Sequence, residues 1–187
     1  MPDIVVIAGP NGAGKSTLAP HLLRDGFGIF EYVNADTIAQ GLSAFAPETA
    51  ALKAGRIMLD RLNELANERR DFAFETTLAT RFYAKWLETL QSKGYHVHLV
   101  FLWLSFPALA IERVAERVRV GGHNIPDETI TRRYDRGLSN FLRLYRPIVD
   151  SWEVLDVSTE SPIEIALGDK LGGIDVLNEK LWLRIER

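Results

Sequence analysis

Gly9-Pro10-Asn11-Gly12-Ala13-Gly14-Lys15-Ser16-Thr17 stands directly behind the apolar run Ile4-Val5-Val6-Ile7-Ala8, and no other stretch limits the choice of fold as far. The segment satisfies Gly-x-x-x-x-Gly-Lys-[Ser/Thr] in full. A short β-branched run enters it, and Ser16-Thr17-Leu18-Ala19 can open a helix behind it. Strand, glycine loop and helix in that order form a phosphate-binding loop. The glycines let the backbone curl into a nest of N–H donors, and the helix N-terminus adds its positive end. Lys15 then reaches the terminal phosphates and Ser16 is expected to sit on a magnesium ion. Gly9, Asn11, Gly12, Ala13, Gly14 and Thr17 complete the expected nucleotide cradle. Such a loop does not say where the phosphate goes.

With 187 residues, of which 47% are hydrophobic, the chain suffices for one well-cored domain and is short for two. A single domain over residues 1–187 is expected. The formal net charge of −3 gives no global pull towards nucleic acid or an anionic membrane. The chain has no cysteine, so neither disulfides nor a thiolate metal site is available. Residues 1 to 8 carry no basic leader, and no apolar run approaches the ~20 residues that span a bilayer. A cytoplasmic protein without membrane contact is the expectation.

Leu18, His21 and Leu22 share a face of the helix behind the loop, which breaks at Asp25-Gly26. A second apolar run, Phe27 to Val33, reads as a strand and leads into Asn34-Ala35-Asp36. Asp36 has two local readings. It is an acid at the carboxyl edge of the sheet, where open α/β folds bind ligands, or it is the N-cap of a helix over Thr37-Ile38-Ala39. Residues 48 to 69 read as an amphipathic helix through Ala51, Gly55, Met58, Leu62 and Leu65, with Gly55 marking close packing against another backbone and Arg56 on the solvated face.

Asp71 to Leu78 forms a short strand ending in Glu75-Thr76-Thr77. In a parallel sheet this strand lies beside the phosphate-loop strand, so Glu75 comes close to the phosphates. It can assist magnesium through water or accept hydrogen bonds from a substrate's hydroxyls. Residues 80 to 93 read as a helix with Phe82, Trp86 and Leu90 on one side, and residues 95 to 104 as the clearest buried strand. Its His96 and His98 are expected to be packed or hydrogen-bonded, since a third metal ligand is missing nearby. The strand ends Trp103-Leu104-Ser105 without an acid, so Glu75 or Asp36 must supply any carboxylate the nucleotide site needs.

From Pro107 a helix is expected with Ala108, Ile111, Ala115 and Val118 on its apolar face. A second helix starts at Asp127-Glu128 after Gly121-Gly122-His123-Asn124-Ile125-Pro126. Between residues 113 and 146 there are eight arginines, no lysines and four acids, a local balance of +4 in a chain of net −3. Arginine forks suit phosphoryl oxygens, and a helix-loop-helix lid over about residues 107–146 would bring them over a triphosphate. A last strand, Trp152 to Val157, precedes the polar loop Ser158 to Pro162. Residues 163–171 and 174–186 read as helix around Gly172-Gly173, with no evident chemistry.

Taken together, Gly-x-Asn-Gly-Ala-Gly-Lys-Ser, Val-Asn-Ala-Asp, Phe-Glu-Thr-Thr-Leu and Gly-Gly-His-x-Ile-Pro with Arg-Arg-Tyr behind it resemble the zeta-toxin family of P-loop kinases, from about residue 3 to about residue 157. The resemblance implies a three-layer α/β P-loop kinase fold with a mostly parallel five-stranded sheet in nucleoside-kinase order. It implies ATP and magnesium as cofactors, transfer of phosphate to a sugar hydroxyl of a UDP-N-acetyl-hexosamine, and an antitoxin protein as partner. Lys15 resembles the phosphate-binding lysine and Ser16 the magnesium ligand. Asp36 resembles the general base, and Glu75 the substrate-binding acid, with Thr76 and Thr77 as helpers. Arg117, with Arg132 or Arg133, resembles the pair around the transferring phosphate. The competing class is a P-loop ATPase module that drives a protein or nucleic-acid partner. Against its transporter type, Lys170-Leu171-Gly172-Gly173-Ile174 keeps only the glycines of Leu-Ser-Gly-Gly-Gln, and no Asn-Lys-x-Asp guanine motif occurs. A nucleic-acid end kinase fits poorly with the overall acidity.

Overall fold

Ile4, Val5, Val6, Ile7 and Ala8 are all fully buried, a state a strand reaches only with neighbours on both edges and layers on both faces. In the computed structural model, which describes residues 1–122 and 124–186, β1 (Asp3–Ala8) lies inside the sheet between β3 (Phe72–Thr76) and β4 (His96–Trp103), parallel to both. β2 (Tyr32–Val33) pairs outside β3 and β5 (Ser151–Asp156) outside β4, again in parallel. These are the five expected parallel strands. His123 of the Gly-Gly-His stretch lies outside the described residues.

The sheet does not stop there. β6 (Ile163–Asp169) and β7 (Ile174–Val176) continue it antiparallel, giving the order β2-β3-β1-β4-β5-β6-β7. The expectation of helix over 163–171 and 174–186 is therefore corrected: a hairpin occupies 163–176, and only α7 (Glu179–Ile185) is helical. Ile163, Ile165 and Leu167 are β-formers at alternating positions, and Asp169 turns the chain by accepting from the Leu171 and Gly173 amides. That alternation is the strand signal. The strand expected over 27–33 shrinks to Tyr32–Val33, because the helix behind the phosphate loop, α1 (Lys15–Pro20), runs on as a wider turn over His21–Phe27.

Two apolar layers cover the sheet. One face carries Val5, Ile7, Val100 and Leu102 against Ala19 and Leu23 behind the loop and against Ala110 and Val114 of α5 (Pro107–Arg119). The other carries Ile4, Val6, Phe72, Phe74 and Phe101 against α3 (Ala51–Asn67) and α4 (Phe82–Ser92). α2 (Ala35–Leu42) sits on α3. α6 (Asp127–Asn140) crosses between the layers: Ile130 and Tyr134 belong to the first, while Phe141 and Tyr145 of its wider-wound continuation belong to the second. The helix thus passes over the sheet from one side to the other, and the residues between those anchors are left there.

Several helix faces differ from the periodicity reading. In α3 the buried line is Ala54, Met58, Leu62 and Leu65, with Ala51 exposed. Gly55 meets open space, so it marks no close backbone, and Arg56 is exposed. In α4 Phe82 is 55% exposed and Ala84, Leu87 and Leu90 are buried. In α5 the buried residues are Ala110 and Val114, while Ala108 and Ala115 face out. His21 is exposed beside Asp25. Small residues such as alanine fit either face, so they leave the phase of a helix open. His96 approaches Asp3 and His98 meets Ser151 Oγ at 2.7 Å.

The C-terminal helix joins the main core through aromatic stacking. Trp182 lies 5.7 Å from Trp152, with the Arg146 guanidinium 5.7 Å from both rings. Trp182→Ala should lower unfolding free energy by about 3–5 kcal/mol, measured by urea denaturation. A loss below about 1 kcal/mol would mean that the helix contributes little to the core.

Candidate active site

The phosphate loop leaves β1 in a conformation that only glycine permits. Gly9 has φ 141°, and a Cβ there would fall 2.3 Å from the Leu102 carbonyl oxygen of β4. Gly12, at φ 81°, lies against α5, with the Ala110 oxygen 2.8 Å from such a Cβ. The loop is thereby wedged between sheet and helix, with its amides turned to the mouth of α1. Lys15 is buried, and its Nζ donates to the Gly9 and Pro10 carbonyls at 3.0 and 2.9 Å. Burial pulls its ammonium below the usual lysine range, opposed by the nearby charges of Glu75 and Asp36. An ammonium that a partly dry site disfavours gains from an arriving anion. Asn11 is buried and accepts from Arg133 Nη1 at 3.4 Å.

Glu75 stands opposite Ile7 in the β1–β3 register, so the strand pairing itself delivers its carboxylate to the loop. Glu75 Oε2 accepts from the Ser16 hydroxyl at 2.9 Å and from the Tyr32 hydroxyl at 2.5 Å. Burial, followed by the charge of Glu75, pushes the Tyr32 phenol well above its ordinary pKa, which keeps it a donor. Asn34, only 5% exposed, donates to Ser16 Oγ at 3.2 Å and to the Tyr32 oxygen at 3.4 Å. Its Oδ1 accepts from the Asp36 and Thr37 amides at 2.7 and 3.2 Å, which makes Asn34 the N-cap of α2. Asp36 is therefore not the cap. It occupies the first turn of α2 with its side chain exposed to the cavities described next.

Two cavities meet at one wall. The first, about 300 Å³, runs along the phosphate loop and is bordered by Ser16, Thr17, Arg113 and Arg117. The second, about 440 Å³, is bordered by Thr76, Thr77, Thr80, Tyr83 and by Arg132, Arg133 and Arg136. Asn11, Lys15, Asp36 and Glu75 border both. The structure thus gathers the expected site residues, and it divides the arginines: Arg117 stands on the loop side, Arg132 and Arg133 on the far side. Arg113 is held by the Ser158 carbonyl at 3.0 Å.

The floor of the larger cavity is tied to α6. A Cβ at Gly137 would fall 2.3 Å from the Thr77 oxygen, so only glycine lets helix and floor touch. Asn140 donates to the Leu78 carbonyl at 2.7 Å and the Tyr145 hydroxyl to the Thr80 carbonyl at 2.7 Å. Leu78 is fully buried yet adopts φ 54°, a left-handed backbone that a branched side chain rarely takes. Its amide is held by Thr76 Oγ1 at 3.1 Å. Arg132, Arg133 and Arg136 sit one to two turns earlier on the same helix, so arginines and threonine floor share one rigid support. Sequence reasoning alone does not single out Tyr32, Asn34, Arg136, Gly137 or Asn140. Asn34 was the one within reach, since Asn directly before Ala-Asp at a helix start is a strong cap signal.

The donor set suits magnesium. Ser16 and Glu75 offer hard oxygens beside a phosphate loop, as that ion requires when it keeps water and phosphate in its shell. Among the described residues no group of three or more His, Cys, Asp or Glu side chains converges as an all-protein metal cage, which such a shared site does not need. No helix among the described residues is long and apolar enough to cross a membrane.

A family model described as Zeta toxin matches residues 1–158. A Haemophilus influenzae protein described only as uncharacterized is 28% identical over 130 residues, covering 70% of this chain and 91% of its own. A chain of the AvrRxo1-ORF1:-ORF2 structure with ATP is 16% identical with a TM-score of 0.74, covering 99% of this chain and 63% of that one. A chain of the PezAT chromosomal toxin-antitoxin system of Streptococcus pneumoniae is 18% identical with a TM-score of 0.70, covering 97% and 77%. This chain therefore spans a little under two thirds of the AvrRxo1 protein, and at these identities both structures speak for the fold alone.

Gly137→Ala should push the 77–80 floor away from α6. The expected result is a stability loss of about 1–3 kcal/mol by urea denaturation, with faster amide exchange at residues 78 to 80. Unchanged exchange there would show that the floor keeps its shape without the helix.

Proposed function

The chain belongs to the zeta-toxin family, and from that premise we propose that it is an ATP-dependent phosphotransferase acting on a hydroxyl of a small molecule, with a UDP-N-acetyl-hexosamine as the leading acceptor. The observation that carries this reading is the shared wall: a cavity along the phosphate loop and a larger polar cavity meet at Lys15, Asp36 and Glu75. A hydrolase needs only the first cavity. A transferase needs a second one whose contents can reach the same phosphate.

The loop amides and Lys15 would hold the phosphates of ATP, and Ser16, with Glu75 behind it, would hold a magnesium ion whose contribution would be to neutralise phosphate charge. The acceptor lies on the threonine floor, where Glu75, Thr76 and Thr77 meet its hydroxyls and Arg132 and Arg133 its anionic part. Asp36 takes the proton from the attacking hydroxyl. The new bond runs from that oxygen to the γ-phosphorus as the bond to the β,γ-bridging oxygen breaks, and ADP leaves. Arg117 from the loop side and Arg133 from the floor side stabilise the charge that spreads over the transferring group. Residues 1–187 act as one unit in this reading, with residues 107–146 covering the site. One of the similar structures is a toxin-antitoxin system, which supports an antitoxin protein as partner of this chain.

Asp36→Asn is expected to leave ATP affinity within about twofold and to lower phosphate transfer to UDP-N-acetylglucosamine by about 10²–10⁴-fold. Nucleotide titration and detection of phosphorylated product by mass spectrometry measure the two. Equal transfer in variant and parent would remove Asp36 from the role of base.

A further inference from the structure

Asn34 uses every hydrogen-bonding position of its amide. Its two N–H bonds go to Ser16 Oγ and the Tyr32 oxygen, and its carbonyl takes the Asp36 and Thr37 amides. An amide offers two donors and one carbonyl, so none is left for substrate. Those partners also fix which end of the amide is oxygen, since two backbone donors face Oδ1. Ser16 is phosphate-loop machinery and Asp36 faces the larger cavity as well, so one buried side chain touches both halves of the site.

The Ser16 hydroxyl shows why this matters. A serine that is to give a lone pair to a metal ion must send its proton elsewhere, and here the proton goes to Glu75 Oε2. The same oxygen accepts the hydrogen bond of the Tyr32 hydroxyl. Two donors on one carboxylate oxygen hold the Glu75 group in one orientation, and Asn34 occupies one of the two acceptor positions on Ser16 Oγ. One acceptor position then remains on Ser16.

We propose that Asn34 and Tyr32 are positioning residues that pre-set the Ser16 hydroxyl for a divalent cation and tie that setting to the helix turn bearing Asp36. Tyr32 borders neither cavity, and Asn34 borders the larger one with its amide fully engaged by protein partners. Tyr32 acts through Glu75, and Asn34 acts through Ser16 on one side and through the Asp36 backbone on the other. The proposal rests on the kinase reading only for its nucleotide side, because nothing in it depends on which acceptor is used.

The test is binding of a fluorescent ATP analogue to the full chain with Mg²⁺ and with EDTA, for the parent, Tyr32→Phe and Asn34→Ser. Phenylalanine keeps the ring. Serine caps helices as well as asparagine does but is too short to reach Ser16. In the parent, Mg²⁺ should tighten binding. In both variants that gain should shrink about tenfold, with affinity in EDTA within about twofold of the parent. A merely structural role would weaken binding in EDTA as much as in Mg²⁺. Hydrogen exchange adds a check on the second arm: the Asp36 and Thr37 amides should stay protected in Asn34→Ser and lose protection in Asn34→Ala. The proposal is overturned if folded variants keep the full Mg²⁺ gain, or if the parent shows none. A Mg²⁺ gain that depends on both residues, in a protein that phosphorylates no small molecule, would uphold the positioning and defeat the functional reading.

Discussion

The site depends on how closely the backbone of Gly9 approaches β4. With the Leu102 carbonyl where a Cβ would stand, the loop can leave β1 in only one direction. That direction sets the start of α1 and so the positions of Lys15 and Ser16. The approach is possible because β1 is flanked by β3 and β4 in the same parallel register, and the same register brings Glu75 opposite Ile7. Loop and carboxylate come from distant parts of the chain, but one set of strand pairings places both.

α6 performs the corresponding task on the far side. Its first half packs with α5 and its continuation packs with α4 and the aromatic core. In between it rests on the Thr77 carbonyl through Gly137. A helix anchored at both ends and touching the floor in the middle cannot carry Arg132, Arg133 and Arg136 independently of that floor. The polar cavity is therefore built before any ligand arrives, and little ordering remains to oppose binding.

Legibility in the sequence followed the range of the interactions. The phosphate loop is a local motif, and its strand, glycines and helix start were readable residue by residue. The two central strands were readable because doubly buried strands form continuous apolar runs, as in Ile4 to Ala8 and Leu99 to Leu104, whereas the run Phe27 to Val33 is extended only at Tyr32–Val33. Asp36 and Glu75 could be named as acids at strand ends. What held them could not, because the Asn34 bond to Ser16 and the Tyr32 bond to Glu75 span 18 and 43 residues of chain, and the Asn34 amide has a capping role that competes with Asp36 for the same helix. The hairpin over Ile163–Val176 is not legible locally, because Leu167, Leu171 and Leu177 permit either a helical or an extended conformation, and the choice is made by pairing with β5. Gly137 carried no signal: in a single sequence, a glycine inside a helix does not say what lies against it.

The central claim is that phosphate crosses the wall shared by the two cavities and ends on a small molecule. Its most direct measurement is the fate of γ-labelled phosphate when the protein is incubated with ATP, Mg²⁺ and UDP-N-acetylglucosamine. The account predicts label on the sugar nucleotide in step with ADP formed, and little ADP when the acceptor is left out. Label recovered only as inorganic phosphate, at a rate indifferent to the acceptor, would contradict it.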